Sequence, residues 1–211
     1  MRHTPQYLLH DRDELRRLIR ENPWCTIVSH TVERGIVASH YAFLLDEAAS
    51  TGDEIVLIGH VGRPDEQAHE LGQHEVLIIV QGAHGYISPS WYPEGDIIPT
   101  WNHVTAHLWG TPEILSDDDN LRALSELTDH FERRVVNPRG LHLDPEYSRR
   151  VARGTVGLRL RITRVDARAK LSQSKPPEVV DRIIDELESD GPYGHPGLAR
   201  EMRRLHDSRH T

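Results

Sequence analysis

The sequence predicts a mainly β protein, a barrel of six or seven short strands with helices laid over it. Three observations carry this prediction. Short apolar runs broken by turn residues recur through the first half of the chain: Trp24 to Ser29, Gly35 to Leu45, Glu54 to Gly59 and Glu75 to Gln81. Later, Val156, Leu158, Leu160 and Ile162 alternate with Gly157, Arg159, Arg161 and Thr163. That period of two gives a strand one buried and one wet face. Segments with helical spacing are few and lie between or after these runs.

The elements follow in order. Asp11 to Arg20 reads as a short helix with Leu15, Leu18 and Ile19 on one face, broken by Asn22-Pro23. Glu33-Arg34-Gly35 and Ser50-Thr51-Gly52-Asp53 are turn material, so the first three strands are expected as antiparallel neighbours. Pro64 to Gly72 reads as a short helix, and Ala83 to Ile87 extends the preceding strand past a glycine kink. Ser88 to Asn102 holds Pro89, Pro93 and Pro99 with Trp91, Tyr92 and Trp101. Proline blocks helix and central-strand pairing, so this is a rigid loop whose aromatics form either a binding surface or a cover for the core. Val104 to Gly110 is another strand. Ser116 to Val136 is an amphipathic helix, with Leu121, Leu124, Leu127 and Phe131 at helical spacing and Ser116 with Asp119 as an N-cap pair. Pro177 to Glu188 is the last helix, with Val180, Ile183, Ile184 and Leu187 inward. The expectation is one domain over 1–190, with helical additions near 116–136 and 177–188, and a loose polar tail over 191–211.

Composition narrows the function. At 211 residues the chain can bury a core without disulfides, and with aromatics at 6% that core leans on Val, Ile and Leu. Cys25 stands alone, which excludes an intramolecular disulfide and a cysteine-based zinc site. The longest apolar run, Val76 to Val80, is too short to span a bilayer. The start, Met1-Arg2-His3-Thr4-Pro5, lacks the apolar stretch of a secretory signal, so a cytoplasmic location is expected. The net charge is −8, from 33 acidic and 25 basic residues. Nucleic-acid binding usually shows as a basic surplus or stripe, so direct DNA contact has no support from charge.

Most catalytic motifs fail on spacing. His69-Glu70 and His74 resemble a zinc-protease signature, but the two histidines are five apart rather than four, which turns them away from each other on a helix. His103 and His107 share a strand face but sit too far apart along it for one metal. No nucleophile elbow, phosphate-binding P-loop or dinucleotide-type glycine turn is present. Cys25 reads as a small core residue. Two stretches survive. Gly59-His60-Val61-Gly62-Arg63 closes a strand with glycines that let a ligand approach the backbone and an arginine fork suited to a phosphate. Lys170-Leu171-Ser172-Gln173 adds a charge, a hydroxyl and an amide, which suit a phosphate or the polar edge of a planar heterocycle.

Taken together, Tyr86-Ile87-Ser88-Pro89-Ser90-Trp91-Tyr92, Pro99-Thr100-Trp101-Asn102 and Ala169-Lys170-Leu171-Ser172-Gln173-Ser174-Lys175 resemble the signature of the PaiB proteins, the FMN-binding negative transcriptional regulators. Gly59-His60, Ala38-Ser39-His40 and Pro5 sit where that family would place them, and the resemblance runs from about Pro5 to Leu187. It implies a split β-barrel like that of flavin reductases and pyridoxamine phosphate oxidases, a homodimer, and FMN at the subunit interface. By that analogy Arg63, Ser39 and His60, with His40 beside them, face the phosphate or the ribityl chain. Pro99, Thr100, Trp101 and Asn102 border the flavin, and Lys170, Ser172 and Gln173 close the site, from the same chain or the other subunit. Three positions depart from the family pattern: Pro64-Asp65 replaces an Asn-Pro step, His103 a tyrosine, and Tyr41 a proline. Two of these border the expected pocket, which leaves haem or a deazaflavin as other ligands for the cleft. The implied function is a regulator working through flavin or a partner. The alternative is a flavin-dependent oxidoreductase with His60, His103 or His107 as proton donor. A ligand-sequestering dimer without catalysis is the third reading.

Overall fold

The computed structural model describes residues 4–93 and 98–207. Its strands are β1 (Trp24–Thr31), β2 (Gly35–Leu45), β3 (Val56–Gly62), β4 (Val76–Ile87), β5 (Thr100–Gly110), β6 (Glu113–Ile114), β7 (Thr155–Arg161) and β8 (Arg164–Lys170). Its helices are α1 (Arg12–Glu21), α2 (Arg63–Ala68), α3 (Asp117–Glu132), α4 (Pro145–Ala152), α5 (Pro177–Glu188) and α6 (Pro196–Asp207). The strands make one sheet in the order β6-β7-β3-β2-β1-β4-β5-β8. The pairs β1–β2, β1–β4, β2–β3, β3–β7 and β6–β7 are antiparallel. The protein is therefore mainly β with flanking helices, as its alternating runs predict. The chain forms two compact units. Unit I holds residues 1–10, 81–106 and 167–211, and unit II holds 11–80 and 107–166.

In unit II, Asp11 caps α1 by accepting from the backbone N–H of Asp13 at 2.8 Å, and Leu15, Leu18 and Ile19 are buried beneath it. The β1–β2 pair follows the two-residue period. Cys25 and Ile27 point inward, whereas Trp24, Val28 and Ile36 face the other way, Ile36 being 77% exposed. Burial pushes the Cys25 thiol up to about 12, the behaviour of a core residue rather than a nucleophile. Ser116 caps α3, and Ala123 and Leu127 from that helix join Leu44, Ile58 and Leu115 in one apolar cluster. Gly59 corrects one expectation. A Cβ there would lie 2.7 Å from the Phe43 ring and 2.9 Å from the Ala42 carbonyl, so this glycine makes room for the protein's own core and not for a ligand.

Three further differences have physical causes. Among the described residues the strands number eight, because β6 is only two residues long and β8 alternates charged with small or apolar residues and even buries Arg168, which hides both from a hydrophobic reading. Residues 145–152, to which the sequence patterns assign no element, form α4: Pro145 at its first turn and the Asp144 side chain accepting from Tyr147 N–H start a short helix there. The expected polar tail is corrected over 196–207, where α6 buries Leu198, Ala199 and Met202 and packs on α5 in unit I. A stripe that short is helical only when a neighbour covers it. Glu94 to Ile97 of the proline-aromatic loop lie outside the described residues.

Candidate functional site

The site residues expected from sequence fall into two sets, one in each unit. In unit I, β8 ends on Lys170 and β5 begins on Thr100 and Trp101. The Lys170 ammonium donates to the Thr100 hydroxyl and to the Trp101 carbonyl at 3.2 Å. Trp101 is 52% exposed, and its indole stacks on His84 with ring centroids 6.1 Å apart. The indole N–H donates to His84 Nδ1 at 3.3 Å, which makes that ring nitrogen the acceptor. Tyr86 meets Trp101 edge-on at 6.3 Å and Tyr193 at 5.0 Å, so the indole sits in an aromatic wall. A cation, a hydroxyl and a flat apolar surface thus lie together on partly exposed residues.

The next residues turn inward and do something else. Asn102 is fully buried; its amide donates to Ser172 Oγ at 2.9 Å and to Met202 Sδ at 3.4 Å. The Ser172 hydroxyl also lies 3.2 Å from Asn102 Oδ1, while its backbone holds φ at 61°, a left-handed turn that the side-chain lock stabilises. Gln173 accepts from Leu171 N–H at 2.7 Å and donates to the carbonyls of Ala169 at 2.6 Å and Gln6 at 3.2 Å. Asn102, Ser172 and Gln173 therefore spend their polar atoms on the protein and brace the turn behind Lys170. Pro99 is exposed. His103 shares a hydrogen bond with Thr105 at 3.2 Å; burial, then Lys170, Arg168 and His84, hold its imidazole below its ordinary value.

In unit II, Arg63 opens α2. Its Nε donates to the Arg153 carbonyl at 2.7 Å, and its terminal nitrogens lie 3.6 Å from Glu66 and 3.9 Å from Asp117. Those long, solvated pairs are weak and exchangeable. His60 is half-buried, meets Tyr41 edge-on at 6.2 Å, and its Nδ1 has no hydrogen-bond partner among the described residues. Burial lowers its pKa, so it is neutral at pH 7. His40 is exposed and stacks on Trp24 at 6.4 Å. Ser39 belongs to a closed network that sequence reading missed. Ser39 Oγ donates to Asp65 at 3.2 Å and lies 3.0 Å from Nε2 of the fully buried His69, whose Nδ1 meets Ser29 Oγ at 2.8 Å. Since Ser39 donates onward, it accepts from His69 Nε2–H, and Ser29 donates to Nδ1. Tyr41 Oη donates to the other Asp65 oxygen and accepts from Gly62 N–H at 3.1 Å. Two departures from the family pattern, Tyr41 and Pro64-Asp65, meet in that contact. No group of three potential metal ligands occurs among the described residues, and His69 is committed to the two serines.

Residues 1–164 match the model of the family described as "Putative FMN-binding domain". The chain belongs to this family. The match covers most of the chain, and with it comes the cofactor, a flavin. Protease synthase and sporulation protein PAI 2 of Bacillus subtilis is 28% identical over 193 residues, covering 89% of this chain and 90% of the relative, which bears out the PaiB resemblance. Among solved structures, the FAD and heme binding protein of Mycobacterium smegmatis is similar with TM-score 0.57 and 18% identity, covering 89% of this chain and 82% of that one. The flavocytochrome Anf3 of Azotobacter vinelandii gives TM-score 0.57 and 10% identity, covering 80% and 72%. At these identities the likeness concerns the fold, a split β-barrel.

The residues present fit a flavin. Lys170 with Thr100 suits a phosphate or a ring carbonyl, and the exposed Trp101 face suits a planar ring. A unit I cavity of about 190 Å³, walled by Leu171, Val180, Met202 and Leu205, is smaller than the roughly 300 Å³ at which cofactor pockets begin. The Lys170–Thr100–Trp101 set, by contrast, is partly exposed and not confined to that cavity. His84, Tyr86 and Tyr193 were not expected there. For the first two the signal was present: in a strand over 83–87 they share one face. For Tyr193 there was none.

Proposed function

We propose that the protein is an FMN-binding homodimer that works as a flavin-responsive regulator, through a partner rather than through direct DNA contact. The observation that carries it is the Lys170 ammonium held against Thr100 and the Trp101 carbonyl beside a half-exposed indole. Lys170 and Thr100 hold the phosphate or a ring oxygen, Trp101 covers one ring face, and Asn102, Ser172 and Gln173 keep the Lys170 turn in place. Arg63 and His60 are the second polar set, in unit II, with Arg63 exchanging its long ion pairs for an anion. The family membership and the PAI 2 relative, a sporulation protein by its name, support the regulatory reading. The net charge of −8 argues against direct DNA contact. The outward β1–β2 face, with Trp24 66% and Ile36 77% exposed, supports a dimer, since exposed aliphatic and aromatic side chains of that size favour a covered state.

A second reading, a flavin-dependent oxidoreductase, is favoured by one observation. Burial holds the half-buried His60 imidazole below its ordinary value, and its buried Nδ1 has no hydrogen-bond partner among the described residues, so a shift of the ring on ligand binding would let it exchange a proton there. Flavin would supply the hydride or electron transfer.

The test is FMN titration of the purified chain, followed by absorbance and tryptophan-fluorescence quenching. Micromolar or tighter affinity, about −8 kcal/mol, is expected. Absence of quenching, or binding untouched by Lys170→Met, sinks the assignment. NAD(P)H oxidation with FMN-loaded protein, if catalytic and lost in His60→Ala, replaces the regulator by the oxidoreductase.

A further inference from the structure

One stretch of unit II carries a charge and a surface that the flavin reading does not use. From Phe131 to Arg153 the chain holds Arg133, Arg134, Arg139, Arg149, Arg150 and Arg153 against only Glu132, Asp144 and Glu146, a local net of +3 (six minus three) in a chain of −8. Among the described residues none of these six guanidinium groups pairs with a carboxylate. In the same unit Arg16, Arg17, Arg20, Arg159 and Arg161 each do. Two of the three acids within the stretch are otherwise engaged: Asp144 caps α4 at Tyr147 N–H, and Glu132 accepts from Arg139 N–H.

The same stretch exposes apolar side chains. Val136 is 88% and Leu143 60% exposed, and Phe131, Val135, Tyr147 and Val151 are each about half exposed. Tyr147 and Val151, at four-residue spacing along α4, share one side of that helix, and Phe131 lies in the last turn of α3 with Val135 and Val136 in the turn that follows. The two helices pack on one another and on the 3-10 turn between them, Leu141–Leu143. Arg150 lies over the Tyr147 ring at 5.1 Å. Arginine and tyrosine are the residue types enriched at protein-binding hot spots, and a cluster of exposed aliphatics beside them marks an interaction surface. A cleft of about 180 Å³ adjoins them, walled by Leu121, Ala152, Arg149 and Arg153 with Asp117 and Asp118 opposite.

We infer that this surface docks an acidic, apolar-bearing segment of a protein partner. Carboxylates of the partner meet the unpaired arginines, its aliphatic side chains cover Val136 and Leu143, and one side chain enters the cleft. A nucleic-acid phosphate would not use the aliphatics and would meet Asp117 and Asp118 in the cleft. A bilayer has no side chain to place there. The inference stands independently of flavin binding.

The experiment uses the FMN-loaded full chain and a labelled synthetic amphipathic peptide of about 20 residues, leucine on one helical face and glutamate on the other. A duplex DNA and phosphatidylglycerol vesicles serve as rival probes. Fluorescence anisotropy is expected to give saturable peptide binding that weakens about tenfold in Arg133→Glu/Arg134→Glu and likewise in Val136→Asp. Binding should fall as salt rises to about 0.5 M, and Arg182→Glu, on α5, should leave it unchanged. FMN affinity, read in parallel, should be the same in all variants. No peptide binding, equal loss in Arg182→Glu, or tighter binding to DNA or vesicles than to the peptide each overturn the inference.

Discussion

Two polar clusters of this protein contain similar residue types and are built for opposite ends. In unit II, Ser29, His69, Ser39, Asp65 and Tyr41 form a closed hydrogen-bond chain in which every link is bonded to the next and His69 has no solvent exposure. In unit I, Lys170, Thr100, Trp101 and His84 are also bonded to each other, but an ammonium and an indole face remain partly exposed. A saturated, buried network stabilises by avoiding the cost of unpaired polar groups. A partly exposed one keeps capacity for a ligand. Site residues are thus separated from structural ones by what their polar atoms are already bonded to, and residue type alone does not do this.

The largest effect that could break this contrast is expected from His69→Leu, which leaves the buried Ser29 hydroxyl without its partner and takes from Ser39 the donor it accepts from, Ser39 keeping only Asp65. A loss of about 2–4 kcal/mol is expected in urea unfolding, with FMN affinity of the folded protein unchanged within about twofold. A selective loss of FMN affinity would move the network into the site. Lys170→Met is the converse. It should weaken FMN binding by about 1.5–3 kcal/mol, roughly ten- to a hundredfold, and shift stability by no more than about 0.5 kcal/mol.

A smaller effect sharpens the picture through pH. His69 titrates below its ordinary 6.5, burial outweighing the nearby Asp65 carboxylate. A base held neutral in the fold binds fewer protons than in the unfolded chain. Its stabilising effect is therefore complete above 6.5 and declines as pH falls towards the lower folded value. Melting temperature should drop as pH is lowered below 6.5, and His69→Leu should flatten that part of the slope, although His60 and His103, both also lowered, keep some of it. The smallest effect belongs to Arg63→Gln. Its exposed ion pairs predict a stability change under about 1 kcal/mol, so an affinity loss larger than that of Lys170→Met would make unit II the principal anion site.

Much of the fold was legible in the chain. β2 and α5 run over the residues their patterns predict, and Asp11 and Ser116 cap the helices they precede. The candidate site was legible in part. Lys170, Thr100 and Trp101 stand together, whereas Asn102 and Ser172 proved to be bonded to each other across 70 residues of sequence. That pairing leaves no local trace, because a buried amide and an exposed one look alike in a polar loop. The closed network was unreadable for the same reason: His69 enters the sequence reading only in a metal motif that fails on spacing, and its two serine partners, from β1 and β2, leave no local trace.

Sequence by itself determined most of the elements, because periodicity, capping and turn residues act over a few positions, and it determined the family through its proline-aromatic and lysine-serine-glutamine stretches. It also determined the excess of arginine between 133 and 153. Only the tertiary structure decided which polar atoms are spent and which are left. It turned Gly59 into core packing, bound Ser39 into a network, made α6 a helix on α5, and left six arginines without carboxylates among the described residues. The reason is physical: burial and hydrogen-bond pairing are set by contacts between residues far apart in the chain, and no local pattern records them.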